Sequence, residues 1–302
     1  MASTLPGISI ISTPRRRRLT VEIAQEAERR KFAGIFTPST FGNMSFCEAL
    51  AWNTTTIPFA TAIAPIYQRT VEDFAQAAAF MHEISGGRFS LGIGIAHGPS
   101  HVRMGVTPGK PLGDTRAFID KFRSLDKFGE LPPIIVATLR QKMIQLAGEK
   151  GQGLIFANAS LNHTPTSLAV LPEAHRTGKF FIGNMIPTCI TDDIAAARAV
   201  HRRTLNGYAM LPNYRNYWKE AGYEEEMTAI ETCIAENRPD DIQKYLHDRW
   251  LDDVTLSGPA TKIRDGIQAW QNAGVHTPII VPSSATGDHR AAIQETFTAF
   301  AD

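Results

Sequence analysis

Ile84-Ser85-Gly86-Gly87-Arg88-Phe89-Ser90-Leu91-Gly92-Ile93-Gly94-Ile95-Ala96-His97-Gly98 is the stretch on which the fold turns. It reads as a helix end, a tight glycine turn, a buried strand and a histidine at the strand's C-terminal tip. Upstream, Val71, Phe74, Ala75, Ala78 and Met81 recur at helical spacing and give one apolar face. Gly86 and Gly87 then stop the helix. Gly92 and Gly94 take side chains out of the strand, which lets another backbone or a flat ligand come close. A titratable residue at such a tip sits where β/α barrel enzymes keep their chemistry.

Outward from this stretch the same alternation repeats. Strands are expected at Gly7–Ser12, Gly34–Thr37, Ile57–Ile63, Phe89–Gly94, Ile134–Ala137, Gly153–Ala157, Phe180–Gly183 and Pro278–Val281. Helical patterns lie between them, at Thr20–Lys31, Ser45–Asn53, Val71–Ile84, Thr115–Phe128, Gln141–Lys150, Thr164–Thr177 and Ala260–Ala273. Ala33-Gly34 and Ala273-Gly274 each close a helix directly before an apolar strand, the joint of a parallel sheet. Eight strands alternating with helices fit an α/β (β/α)8 barrel, with a doubly wound open sheet as the alternative. Residues 185–256 are too long for one crossover and read as a helical insertion between strands seven and eight. The chain, 1–302, is then expected to be one domain.

Composition narrows the chemistry. At 302 residues, 43% hydrophobic and 20% charged, the chain can bury a sizeable core. A net charge of +1 gives no reason to expect nucleic acid or a membrane surface as partner. Three scattered cysteines, Cys47, Cys189 and Cys233, form neither a disulfide framework nor a metal spacing and suit a reducing cytoplasm. No apolar run is long enough to span a bilayer, and the N-terminus lacks a signal-peptide layout. There is no G-x-S-x-G elbow, no P-loop and no H-E-x-x-H, so no metal site is expected. Gly92-Ile93-Gly94 is only a fragment of a dinucleotide fingerprint. A flat cofactor held by backbone and apolar surface stays open.

Further residues carry motifs. Ile84–Gly94 resembles a segment of the bacterial luciferase-like family of flavin- and deazaflavin-dependent oxidoreductases. Leu131–Gly153 looks like that family's fifth strand and helix, and Ser257-Gly258-Pro259 with Ala273-Gly274-Val275 like its closing unit. Leu211-Pro212-Asn213-Tyr214-Arg215-Asn216, followed by Gly222-Tyr223, resembles a segment of the branch that uses coenzyme F420. The resemblance runs the length of the chain. It implies a TIM-like barrel with the cofactor at the C-terminal ends of the strands: coenzyme F420, or FMN as the alternative. In the third strand, Ile57–Pro65, it implies a bulge with a non-proline cis peptide at Thr61–Ala62. Gly94, Ile95 and Ala96 would line the cofactor, the last two through backbone amides. Ala137, Thr138 and Leu139 would run along its tail. It further implies a small-molecule substrate, a homodimer, and an F420 or flavin reductase as the electron source. The chain departs from its relatives at Ser39 and Thr40, where many carry an acidic residue and a histidine. It departs again at His97, where glucose-6-phosphate-specific relatives carry glutamate.

His97 is the candidate acid/base group, since imidazole titrates near neutrality; the plain alternative is a hydrogen-bonded loop histidine. Ser39, Thr40, Asn158 and His163 follow strands two and six, where they serve equally as ligand contacts or as turn residues. Arg15–Arg18 follow strand one and would grip a phosphate or acidic tail, or simply be solvated. Arg69 divides the same way. His101 is expected at the surface. Tyr208, Tyr214, Tyr217 and Trp218 could wall a pocket, but at helical spacing they are expected to pack. Three functions follow. The first is hydride transfer between reduced deazaflavin and a C=C, C=O or C=N bond, or the reverse alcohol oxidation. The others are an FMN-dependent monooxygenase and a non-catalytic binding protein of the same fold.

Overall fold

A computed structural model describes residues 5–39 and 42–301. Among the described residues ten strands occur, with helices between all but β3 and β4: β1 (Gly7–Ser9), β2 (Ile35–Pro38), β3 (Phe59–Ala62), β4 (Ala64–Pro65), β5 (Phe89–Gly94), β6 (Ile134–Ala137), β7 (Gly153–Ala157), β8 (Phe181–Ile190), β9 (Leu256–Gly258) and β10 (Thr277–Ser283). The chain divides into two compact units. One holds the chain through Phe156 together with Ala169–Gly183. The other holds Ala157–Leu168 and everything from Asn184 on.

In the first unit the strands run β1-β2-β3-β5-β6-β7, with β4 added against β5. Every pairing among them is parallel, for example Ile8 with Ile35, Phe36 with Ala60 and Gly92 with Ile135. All their C-terminal tips therefore lie along one edge. The helix Val71–Ile84 shows why the alternation holds. Thr70 caps it by accepting from Asp73 N, and Glu72 and Asp73 fill the first turn, where acidic groups suit the helix dipole. Phe74, Ala75, Ala78 and Met81 are buried. Gly86 and Gly87, at φ 63° and 83°, turn the chain into β5. Arg88 then donates to the carbonyls of Ala51, Thr54, Ile57 and Ser85, which ties two helix ends to the start of β5. This arginine is structural and lies at the strand's N-terminal end.

In the second unit β8 pairs with β9 in parallel, Thr188 opposite Leu256, and with β10. Helices Ile194–Ala209, Pro212–Glu220, Glu224–Ala235 and Asp248–Val254 separate β8 from β9. The strand expected over Phe180–Gly183 continues to Ile190, so the helical segment begins at Ile194 rather than within 185–190. Pro187, which cannot donate to a ladder, sits inside this strand and masks it in the sequence. The single helix expected over Thr164–Thr177 is two short ones, Thr164–Leu168 and Glu173–Thr177, parted before Pro172. The third strand, expected over Ile57–Pro65, is broken into β3 and β4, and β9, of three residues, adds a strand to those expected. Cys47, Cys189 and Cys233 are buried free thiols; burial pushes Cys47 up to about 12, which leaves it inert at neutral pH. Among the described residues no helix is long and apolar enough to cross a membrane, and no cluster of metal-ligating side chains occurs.

Candidate active site

The tips of β2, β3, β5 and β6 bring the predicted residues of the first unit together. A Cβ on Gly92 would stand 1.8 Å from the carbonyl oxygen of Thr61, so β3 and β5 approach as closely as they do only because position 92 is glycine. Thr61 Oγ1 donates to Gly92 O at 2.7 Å and locks the approach. At Gly94 a Cβ would meet Ala137 Cβ at 2.9 Å and the Ile63 side chain at 3.0 Å. Ile63, half-exposed, therefore lies across the bare backbone of Gly94, with Ala137 beside it. The glycine pair admits a neighbouring backbone at one position and an apolar side chain at the other.

The cis peptide is Ala62–Ile63, one bond later than the expected Thr61–Ala62. Thr61 and Ala62 both remain in ladder register, opposite Thr37 and Pro38, so the break in the strand falls after Ala62. Asn43, buried at the start of helix Asn43–Asn53, donates from Nδ2 to Ile63 O at 3.1 Å and to Pro38 O at 3.3 Å. It fastens the tips of β2 and β3 together. Nothing in the sequence marked it beyond its type, which reads as an ordinary helix-start residue.

Past β5, Ile95, Ala96 and His97 are half-buried, and Ala96 takes φ 60°. His97 begins helix Gly98–Met104, its carbonyl accepting from Ser100 N and His101 N. Burial, and then repulsion from His101, hold the His97 imidazole below its ordinary value, so it is neutral at pH 7. His101, expected at the surface, is half-buried. Its Nε2 bonds to Ile95 O, and because a carbonyl only accepts, Nε2 carries the proton. Tyr67 meets the His101 ring edge-on at 5.6 Å and donates its hydroxyl to Asp114, which also accepts from Gly109 N at 2.8 Å. Burial and the adjacent carboxylate push Tyr67 up to about 12. His101, Tyr67 and Asp114 thus form a brace behind the Ile95–His97 tip. The sequence offered no signal for it, since the three are parted by up to 47 positions.

At β6, Ala137 and Leu139 are half-exposed, while Thr138 is buried and its Oγ1 has no hydrogen-bond partner among the described residues. Ser9 Oγ, at the end of β1, is likewise buried and unpartnered. Ser39 is exposed at the end of β2, and Thr40 lies outside the described residues.

In the second unit, Asn158 is buried at φ 56° with Nδ2 unpartnered. Its backbone N donates to Met185 O, and its carbonyl accepts from Trp218 Nε1 at 3.2 Å. The loop beyond it hangs on Asp253, a buried carboxylate that accepts from Ser160 Oγ, from Asn162 N at 2.9 Å and from Tyr223 Oη at 2.9 Å. Tyr217 Oη accepts from Ser160 N at 3.0 Å, and His163 stacks edge-on upon Tyr217. Tyr217 and Trp218 pack, as expected, and they also position this loop. Asp253 went unread in the sequence.

The luciferase-like monooxygenase family model matches residues 4–277. The chain belongs to that family. Among its luciferase-like relatives is a protein of Mycobacterium tuberculosis provisionally named a coenzyme F420-dependent oxidoreductase, 24% identical over 87% of this chain and 90% of its own. Another is the 5,10-methylenetetrahydromethanopterin reductase of Archaeoglobus fulgidus, 26% identical over 83% and 84%. Among solved luciferase-like structures, the coenzyme F420-dependent tetrahydromethanopterin reductase of Methanopyrus kandleri superposes with a TM-score of 0.77 at 15% identity, covering 98% of this chain and 97% of that one. The fold is accordingly the (β/α)8 barrel of this family.

Proposed function

We propose that this protein is a coenzyme F420-dependent oxidoreductase that moves a hydride between the deazaflavin and a small organic substrate. One observation carries the reading: Ile63 over the bare backbone of Gly94, with Ala137 alongside, makes a half-exposed apolar floor at the strand tips. Such a floor fits a planar ring. The unpartnered Thr138 Oγ1 supplies a hydrogen-bonding group beside it, suited to the polar chain that follows the ring. The names of the curated relatives support the deazaflavin over FMN.

Bound there, the cofactor supplies or accepts the hydride, and the redox chemistry is its own. The protein's part is to hold, orient and exclude water. Ile63, Gly94 and Ala137 support the ring, and the backbone of Ile95 and Ala96 borders it. Leu139 and Thr138 hold its tail, and Ser39 at the end of β2 offers a further polar contact. His97 moves the proton that accompanies the hydride. Held neutral at pH 7, its imidazole takes the hydroxyl proton when an alcohol is oxidised. In the reductive direction it must first be protonated, so reduction of a C=O, C=N or C=C bond speeds up as pH falls toward the His97 pKa. We further take the protein to act in the cytoplasm as a homodimer, drawing electrons from a separate F420 reductase. The helices from Ile194 to Val254 would be an insertion in a single catalytic domain.

The test is anaerobic oxidation of reduced F420 in the presence of enones, ketones and imines, run beside oxygen uptake with reduced FMN. Deazaflavin oxidation that needs an acceptor and consumes no oxygen supports hydride transfer. Oxygen consumption with FMN alone would replace the reading with a monooxygenase. His97→Ala is expected to slow turnover by about 10²–10⁴-fold with F420 affinity nearly unchanged.

A further inference from the structure

Arg15-Arg16-Arg17-Arg18 breaks every local rule for starting a helix. The β1 ladder ends where Ile10 N donates to Phe36 O, and Arg15 then takes φ 66° before helix Arg17–Arg29 begins. That helix has no acidic residue in its first turn and no side-chain cap at Arg16. Four adjacent cations repel one another, and Arg17 and Arg18 oppose the positive end of the helix dipole. All four side chains are exposed, and none forms an ion pair among the described residues. Glu22, one turn further along, is exposed and does not pair with Arg18. A feature that violates local preference with no compensation in the fold points to function. A bound oxyanion would reverse each term: guanidinium forks match its geometry, and the open helix start favours its charge.

A cavity of about 220 Å³ lies at this place, with Arg17, Ser12, Gly42 and Ser45 among its lining. Gly42 is the N-cap of a second helix, Asn43–Asn53, which also lacks an acid in its first turn. Position says which ligand is held. The parallel ladder puts the end of β1 on the same edge as the ends of β2, β3, β5 and β6. Along that edge the floor and the tail contact proposed for the cofactor run from β3 through β5 to β6, with Ser39 at the tip of β2 between them and β1. The arginines border the side left to the substrate.

We propose that Arg15–Arg18, with Arg17 at the cavity, form a subsite for a phosphate or carboxylate group of the acceptor, so that the substrates are organic acids or phosphate esters. The assignment to the acceptor rests on the F420 reading above. The test compares the wild type with Arg17→Gln/Arg18→Gln. Pyrophosphate is titrated calorimetrically at constant ionic strength, and oxidised F420 by fluorescence. The expected result is one saturable pyrophosphate site per chain, weakened at least tenfold in the variant, with F420 affinity within twofold. Unliganded, the variant should melt about 1 °C higher, since it loses charges that oppose the helix dipole. Pyrophosphate that fails to bind, or binds both proteins alike, overturns the subsite. A tenfold loss of F420 affinity overturns the assignment to the acceptor, because the oxyanion is then the cofactor's own. If F420 binds neither protein while pyrophosphate binding still follows the arginines, the subsite stands and the cofactor reading falls.

Discussion

The junction of β3 with β5, near the strands' C-terminal ends, and the loop after β7 both fix the chain in place, and they do so by opposite means. At the junction one backbone is pressed into a gap left by a missing side chain, Thr61 against Gly92, and a single hydroxyl seals it. At the loop a buried carboxylate gathers three donors from two separate stretches of chain, Ser160 and Asn162 from one and Tyr223 from the other. The first solution leaves an apolar, nearly featureless floor, which suits a flat ring. The second holds an asparagine in a left-handed conformation with its side-chain amide buried, which suits a polar contact. Shape is supplied by omission in one region and polarity by accumulation in the other.

Breaking the first region should have the largest effect. Gly92→Ala places a methyl inside the Thr61 carbonyl, and neither backbone can move without leaving its ladder. A loss of more than about 3 kcal/mol in urea unfolding is expected. Gly94→Ala meets the Ile63 side chain, which can shift, and Ala137 Cβ at 2.9 Å, which moves only with its backbone, so about 2 kcal/mol is expected together with weaker F420 binding. Equal losses at the two positions would mean that the backbone approach is not what distinguishes them.

Breaking the second region comes next. Asp253→Leu strands two buried donors, Ser160 Oγ and Tyr223 Oη, and should cost about 3 kcal/mol, whereas Asp253→Asn keeps acceptor capacity and should cost about 1 kcal/mol. A mild Asp253→Leu variant would show that the loop holds itself without the carboxylate.

Acid should separate the two units. His201, fully buried with Nε2 bonded to Leu256 O, is pushed down to about 4 by burial, from an ordinary 6.5. Its folded pKa is depressed, so between these values the unfolded chain binds the extra proton and stability falls as pH falls. From pH 6.5 to 5 the loss from this residue is about 2 kcal/mol. His201→Gln should remove that slope while leaving the first unit's response unchanged. A slope that survives in His201→Gln, followed by urea unfolding across pH, would assign it elsewhere. The smallest effect is expected at the brace: Tyr67→Phe loses one hydrogen bond, about 1 kcal/mol, and lowers turnover through the His97 tip rather than through binding.

How much of this could be read in advance follows from the same comparison. β5, β6 and β7 were legible to the residue, because short apolar runs between glycine or proline signals are local. Gly92 and Gly94 announced a close approach for the same reason, although which partner filled each gap required coordinates. The cis bond was misplaced by one position, since only the ladder shows that Thr61 and Ala62 stay paired. Ile186-Pro187-Thr188 hid most of β8, because a proline in a strand argues against the strand. Asn43, His101 and Asp253 were illegible as site-building residues. Each acts through partners distant in sequence, and each is of a type that is ordinary in a cap, on a surface or in a helix. The brace behind His97 turned a presumed surface histidine into the group that holds the Ile95 carbonyl.

The central claim is that the floor of Ile63, Gly94 and Ala137, with Thr138 beside it, holds a deazaflavin. The most direct measurement is a fluorescence titration of the wild type and of Thr138→Val with oxidised F420 and with FMN. Saturable F420 binding by the wild type, weaker binding by Thr138→Val and no comparable binding of FMN are expected. FMN binding without F420 binding, or F420 binding indifferent to Thr138, would contradict that expectation.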